Sequence, residues 1–134
     1  MPTQPEATER IAKQVSAALA AADLSAFREL LDPDVRWGPP GDPSPPCQNR
    51  DQVLAWYRRG REAGVRAQVS ETVVRGDQIL IGLKVAGHRA AGQSGGETDR
   101  WQVFTVRGGR VVDIVGFDER REAAARAGLS TDPG

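Results

Sequence analysis

Residues 99–118, DRWQVFTVRGGRVVDIVGFD, read as two β-strands joined by a tight turn. Gly108 and Gly109 both tolerate positive φ, so a two-residue type I′ loop fits between strand-like runs at 101–106 and 111–117. In the first strand Arg100, Gln102, Phe104 and Val106 share one face, and Trp101, Val103 and Thr105 the other. In the second, Val112, Ile114, Gly116 and Asp118 alternate with Val111, Asp113, Val115 and Phe117. Neither face is wholly apolar. A sheet of this kind is expected where one side packs against helices around a cavity and the other meets a partner.

Working outward, residues 65–74 and 78–88 form a second pair of strands about Gly76-Asp77, and the glycine- and serine-rich segment 88–98 connects the two pairs as a flexible loop. Upstream, 6–22 places Ile11, Val15, Ala18, Leu19 and Ala22 on one helical stripe. Asp23 caps a shorter helix through Leu31 with Phe27, Leu30 and Leu31 facing inward, and Asp32-Pro33 stops it. Val35 and Trp37 then alternate with Asp34 and Arg36 as a short strand. Five of the nine prolines fall within residues 38–47, so this segment runs as a semi-rigid loop, either the rim of a cavity or a surface crossover. Asn49 and Gln52 mark the start of a helix over 50–62 whose inner stripe is Val53, Trp56, Tyr57 and Gly60, with Arg58, Arg59 and Arg61 toward solvent. A charged, alanine-rich helix occupies 119–127. Strands in a meander, with helices gathered at the N-terminus, define an α+β fold: an antiparallel sheet covered on one face.

At 134 residues the chain is expected to be one domain over 1–134, frayed at 1–5 and 128–134. Eighteen basic residues balance eighteen acidic ones, which argues against nucleic acid and against an anionic membrane as partner. A small molecule or another protein is favoured instead. The N-terminus lacks a signal-peptide pattern and no apolar run reaches membrane-spanning length, so a cytoplasmic location is expected. The single cysteine, Cys47, excludes an internal disulfide, and the single histidine, His88, disfavours a dedicated zinc or haem site.

The stretches 17–37 (AALAAADLSAFRELLDPDVRW), 50–60 (RDQVLAWYRRG) and 100–118 (RWQVFTVRGGRVVDIVGFD), in this order and spacing, resemble the nuclear transport factor 2 superfamily. That fold is shared by ketosteroid isomerases, limonene epoxide hydrolases, scytalone dehydratases and SnoaL-like polyketide cyclases. The resemblance implies a cone-shaped curved sheet around a deep apolar pocket covered by three N-terminal helices, no cofactor, and a homodimer through the outer face of the sheet. The reactive residues of those enzymes do not carry over. Where ketosteroid isomerases have a base, an oxyanion-holding tyrosine and a protonated aspartate, this chain has Gly38, Val15 and Gln102, of which only Gln102 can donate a hydrogen bond. The Arg-x-Asp pair of the epoxide hydrolases falls on Gln78 and Leu80, and the last-strand carboxylate of the cyclases on Gly116. Trp56 and Tyr57 match pocket aromatics of the isomerases.

Among the residues themselves, Asp118 is a base candidate provided that it is desolvated, with Arg100 beside it; the alternative is a plain salt bridge at a sheet end. Tyr57 with Gln102 can hold a carbonyl or enolate oxygen, or Tyr57 can simply be a buried, bonded tyrosine. Trp37, Trp56, Val15, Leu80, Phe104, Ile114 and Gly116 are the expected pocket lining. Trp101, of opposite parity, suits a dimer interface. Cys47 is read as a small buried thiol, His88 as a solvent group, and Asp113 as the partner of an arginine on the outer face. The leading expectation is a cofactor-independent, SnoaL-like isomerase, cyclase, dehydratase or hydrolase acting on an apolar oxygenated metabolite. The alternative is a binding or accessory protein using the same pocket without chemistry.

Overall fold

The computed structural model describes residues 4–39, 41–42, 45–86 and 98–129. Three helices, α1 (Gln4–Ala21), α2 (Leu24–Leu30) and α3 (Arg50–Glu62), alternate with or precede the strands β1 (Leu31–Gly38), β2 (Arg66–Arg75), β3 (Gln78–Ala86), β4 (Thr98–Arg107) and β5 (Arg110–Phe117). A last helix, α4 (Arg120–Arg126), follows β5. The strand order is β1-β5-β4-β3-β2. The meander β2 to β5 is antiparallel as expected, and β1 is laid parallel to β5 at its edge, so the whole sheet is mixed.

The tight turn is where the sequence places it: Gly108 and Gly109 have φ of 58° and 77°. Strand parity changes at one point. Between Thr105 and Val106 the register slips so that Thr105 faces Asp113 but Val106 faces Val111. Val112 is therefore the extra residue of a bulge, and Val111 joins Ile114 in the inner core instead of sharing the face of Asp113. Further slips lie between Val69 and Glu71 in β2 and between Leu31 and Arg36 in β1. Each bends its strand, which is how the sheet curves around the helices. The slip in β1 also admits Asp32 and Pro33 into an edge strand: helix α2 ends at Leu30, and Asp32 Oδ1 accepts from the Asp34 N–H at 2.9 Å. The expected stop at Asp32-Pro33 is thus a strand feature.

Helix α1 presents Ile11, Ala12, Val15 and Ala18 to the core, but Ala22 is exposed. It takes φ 54° as the residue that terminates the helix, and Asp23 N–H donates to the Ala18 carbonyl at 2.9 Å. The inner rows of the sheet, Ile79, Ile81, Leu83 and Val85 with Phe104, Val106, Val111 and Ile114, pack against α1, α2 and α3. The alternate rows, Leu80, Val103, Val115 and Phe117, form a second cluster on the outer face with Ala123 and Ala127 of α4. The chain thereby covers part of the face that the sequence reading reserved for a dimer partner. Asp113 meets Arg126 of α4 at 3.7 Å there. Gly128 and Leu129, expected to fray, close α4 instead: Leu129 N–H donates to Ala124 O at 2.8 Å and its side chain packs on the outer cluster. Helix α1 already starts at Gln4, within the segment expected to fray. His88 and the connecting loop up to residue 97 lie outside the described residues, as do residues 40, 43 and 44 of the proline-rich segment.

Candidate functional site

Helix α3 is phased by its N-cap. Asn49 Oδ1 accepts from the Gln52 N–H at 2.9 Å while Gln52 Oε1 accepts from the Gln48 N–H at 2.7 Å. This sets Val53 and Leu54 into the core and, one turn later, turns Tyr57 toward the sheet and leaves Trp56 at the edge. Tyr57 donates from its hydroxyl to Gln102 Oε1 of β4 at 3.0 Å, edge-on to Phe27 at a 5.1 Å centroid separation. Trp56 stands perpendicular to Tyr57 at 5.1 Å and lies against Trp37 of β1 at 4.2 Å.

Between these groups and the ends of α1, α2 and β2 to β5 is a cavity of about 1170 Å³. Tyr57, Gln102, Trp37, Trp56 and Gly116 line it, with Leu83, Val85, Leu19 and Phe27 as apolar wall. Gln102 is 6% exposed. Burial pushes the Tyr57 phenol well above its ordinary range, opposed by hydrogen bonding with Gln102 and by the nearby Trp37 indole, so it keeps its proton and acts as a donor. The Trp37 Nε1 atom is itself buried and, among the described residues, meets no acceptor in good hydrogen-bond geometry, the Tyr57 hydroxyl being the polar group it lies toward.

Charge gathers at the mouth. Arg100 Nη1 donates to Asp118 Oδ1 at 2.7 Å, with the two side chains 44% and 83% exposed. Arg59, Arg61, Arg66, Glu119 and Glu122 complete this rim. Asp118 therefore lies on the cavity as expected, but the desolvation on which its role as a base was conditioned is not met at a side chain so exposed.

All four expected chemical groups, Asp118, Arg100, Tyr57 and Gln102, thus meet on one cavity, and Trp37, Trp56 and Gly116 join them. Val15, Phe104 and Ile114 are fully buried beneath it in the core rather than on its surface. Leu80 is on the wrong face altogether: it packs with Val103 and Val115 in the outer cluster. The inward row of β3 is its odd-numbered residues, and Leu83 and Val85 supply the wall that Leu80 was expected to supply; extending the parity of Ile79 and Ile81 would have found them. Trp101 lies on the outer cluster across Gly82, with Arg120 over its ring at 6.0 Å, so its neighbours there come from its own chain; its edge reaches the cavity rim. Cys47 is buried, and its thiol faces the Gln52 carbonyl at 3.6 Å. Burial raises its pKa, with Arg59 opposing, which keeps it a thiol. Gly38 could not carry a base, because a Cβ there would come within 2.6 Å of Pro45. Among the described residues no three His, Cys, Asp or Glu side chains converge in a way that would hold a metal ion, and no helix is long and apolar enough to cross a membrane.

A curved five-stranded sheet closed by helices over such a cavity defines the α+β cone class of small-molecule proteins. The chain belongs to the SnoaL-like domain family, whose pattern it matches over residues 12–114. Among solved structures it is similar to a proposed polyketide cyclase of Sinorhizobium meliloti, with 25% identity over 81% of this chain and 94% of that one and a TM-score of 0.62. It also resembles Bal32a, from a soil-derived mobile gene cassette, with 22% identity over 86% and 91% of the two chains and a TM-score of 0.68. A proposed ketosteroid isomerase of Kribbella flavida shares the fold at 17% identity, covering 98% of this chain and 87% of that one, with a TM-score of 0.71. No curated protein sequence matches the chain.

Proposed function

We propose that this protein is a SnoaL-like enzyme that performs cofactor-independent proton transfer on a small, largely apolar, oxygenated metabolite. The observation that carries this reading is the Tyr57–Gln102 hydrogen bond at the surface of a large, mainly apolar cavity. Fixed donors in a site that excludes water stabilise negative charge developing on a substrate oxygen, and their orientation is set before the reaction starts. Tyr57 spends its one proton on the Gln102 carbonyl and so fixes that amide, whose nitrogen is the donor left for the substrate oxygen. Asp118, one side-chain row beyond Gly116 toward the mouth, accepts the proton from carbon once a bound ligand shields it from solvent, and Arg100 holds its carboxylate in place. The stacked Trp37 and Trp56 flank the ligand body.

A second reading, a binding or accessory protein without turnover, is favoured by one observation, the 83% exposure of the Asp118 side chain. Native mass spectrometry of the protein with what it retains, followed by product analysis, separates the two. On the enzyme reading the retained compound, or one from the same pathway, is converted, and Asp118→Asn lowers turnover by about 100-fold. A ligand that binds and is returned unchanged by both forms supports the binding reading instead. The proposal includes a cytoplasmic single-domain protein and a homodimer formed through the part of the outer face that α4 leaves open, which sedimentation velocity would register as twice the chain mass.

A further inference from the structure

The charged groups around the cavity mouth are four arginines against three acids, an excess of one positive charge in a chain that is neutral as a whole. The arginines differ in what they meet. Arg100 is paired with Asp118, and Arg61 donates from Nη1 to the Ala22 carbonyl at 2.9 Å, which ties the end of α3 to the end of α1. Among the described residues, Arg59 and Arg66 make no ion pair, and for Arg59 this holds even with Glu62, three positions on in the same helix. The acids of the rim come from the end of β5 and from α4, so the last turns of α3 are left positive. Trp56 precedes Arg59 by three positions and so shares its side of the helix, and both line the cavity. Trp37 lies against the indole of Trp56 and Tyr57 stands perpendicular to it, yet Trp56 is still 38% exposed, the one large apolar side chain so exposed among the described residues. Bare indole surface and a guanidinium without a carboxylate thus stand side by side at the edge of an apolar cavity.

We infer that the ligand is a carboxylic acid, with its carboxylate bound at the mouth by Arg59 and its apolar body running inward past Trp56. The inference rests on the proposed small-molecule reading of the cavity and adds to it the acidic class of the ligand and its direction in the cavity. A guanidinium presents a planar fork of donors that a carboxylate matches oxygen for nitrogen. The excess of one charge on the rim favours a single anionic group over a doubly charged one. A carboxylate drawn into the apolar interior would lose its hydration without gaining a cation, whereas at the mouth it keeps water on one side and meets Arg59 on the other.

The test uses two probes of nearly one shape, 2-naphthylacetate and 2-naphthylacetamide, titrated calorimetrically into the whole protein at neutral pH and low salt. The acid is ionised there and the amide is neutral. The unmodified protein is expected to bind the acid at least about fivefold more tightly than the amide. Arg59→Gln is expected to abolish that preference while leaving affinity for the amide within about twofold. Arg58→Gln removes the same charge from the next position of the same helix, at a residue that does not line the cavity, and is expected to leave the preference intact. Equal binding of the two probes to the unmodified protein, a preference that survives Arg59→Gln, or one that Arg58→Gln removes as well, overturns the inference and leaves the cavity reading standing. Binding of neither probe overturns both.

Discussion

Tyr57 of α3 donates a 3.0 Å hydrogen bond to Gln102 of β4, forty-five positions away in the chain, and so fixes the Gln102 amide nitrogen as a donor on one wall of the cavity. The bond sits where the third helix crosses the inner face of the sheet, and it is the polar contact on which the proposed activity is built. Tyr57→Phe removes one partner and leaves a nearly buried amide oxygen unmet, which is expected to cost about 1–3 kcal/mol in urea denaturation. On the enzyme reading, turnover falls further than stability accounts for. Because burial holds the phenol above its ordinary range, no loss of activity from tyrosine ionisation is expected up to about pH 10.

The Arg100–Asp118 pair makes the opposite prediction. Both side chains are open to solvent, so Asp118→Asn is expected to change stability by less than about 1 kcal/mol, whatever it does to turnover. Raising salt should weaken the pair. A loss of several kcal/mol on this substitution would mean that the carboxylate is not the exposed rim group described above.

Asp113 carries a pH dependence whose sign follows from its surroundings. Desolvation raises its pKa above the ordinary 3.8, and Arg126, Arg36 and Arg107 only partly oppose this. A carboxyl raised in the folded state contributes stability that is present below the unfolded value and lost as pH rises through the folded one. Asp113→Asn is therefore expected to leave stability unchanged or higher at pH 7, with the difference from the unmodified protein vanishing below about pH 3.5 in thermal melts.

Gly82 lies under Trp101, where a Cβ would fall 2.4 Å from Cζ3 and 2.9 Å from Ser70 Oγ. Gly82→Ala must displace the indole, and with it the guanidinium of Arg120 that covers the ring and forks onto Glu71 at 2.8 and 2.9 Å. The expected cost is about 1–3 kcal/mol, with a red-shifted tryptophan emission as Trp101 enters solvent. Retention of full stability would contradict the close packing of β3, β4 and α4.

Much of this was legible in the chain because its signals are local. The Gly108-Gly109 turn, the Asn49 and Gln52 cap of α3, and the alternation that puts Gln102 and Phe104 on one face all follow from short stretches of sequence. The misplacements have non-local causes. Val111 changes face because of a bulge that depends on the register with β4, and Leu80 faces outward because the inner row of β3 is its odd-numbered residues. The packing of α4 on the outer face is not legible from its charged, alanine-rich sequence, because only its alanines are buried, against a sheet face whose composition does not announce an internal cover. The exposure of Asp118 depends on where the sheet ends relative to the rim, which no spacing encodes.

The central claim is that the cavity takes a ligand whose oxygen meets the Gln102 amide, held in place by Tyr57, and the nitrogen-bound protons of that amide report on it directly. The measurement is a proton–nitrogen correlation spectrum of the labelled protein titrated with 1-tetralone, in which the Gln102 side-chain amide is assigned by substitution. The account predicts that the Gln102 amide proton signals move downfield along a saturating curve. Signals there that stay fixed while the ketone saturates the protein would contradict it.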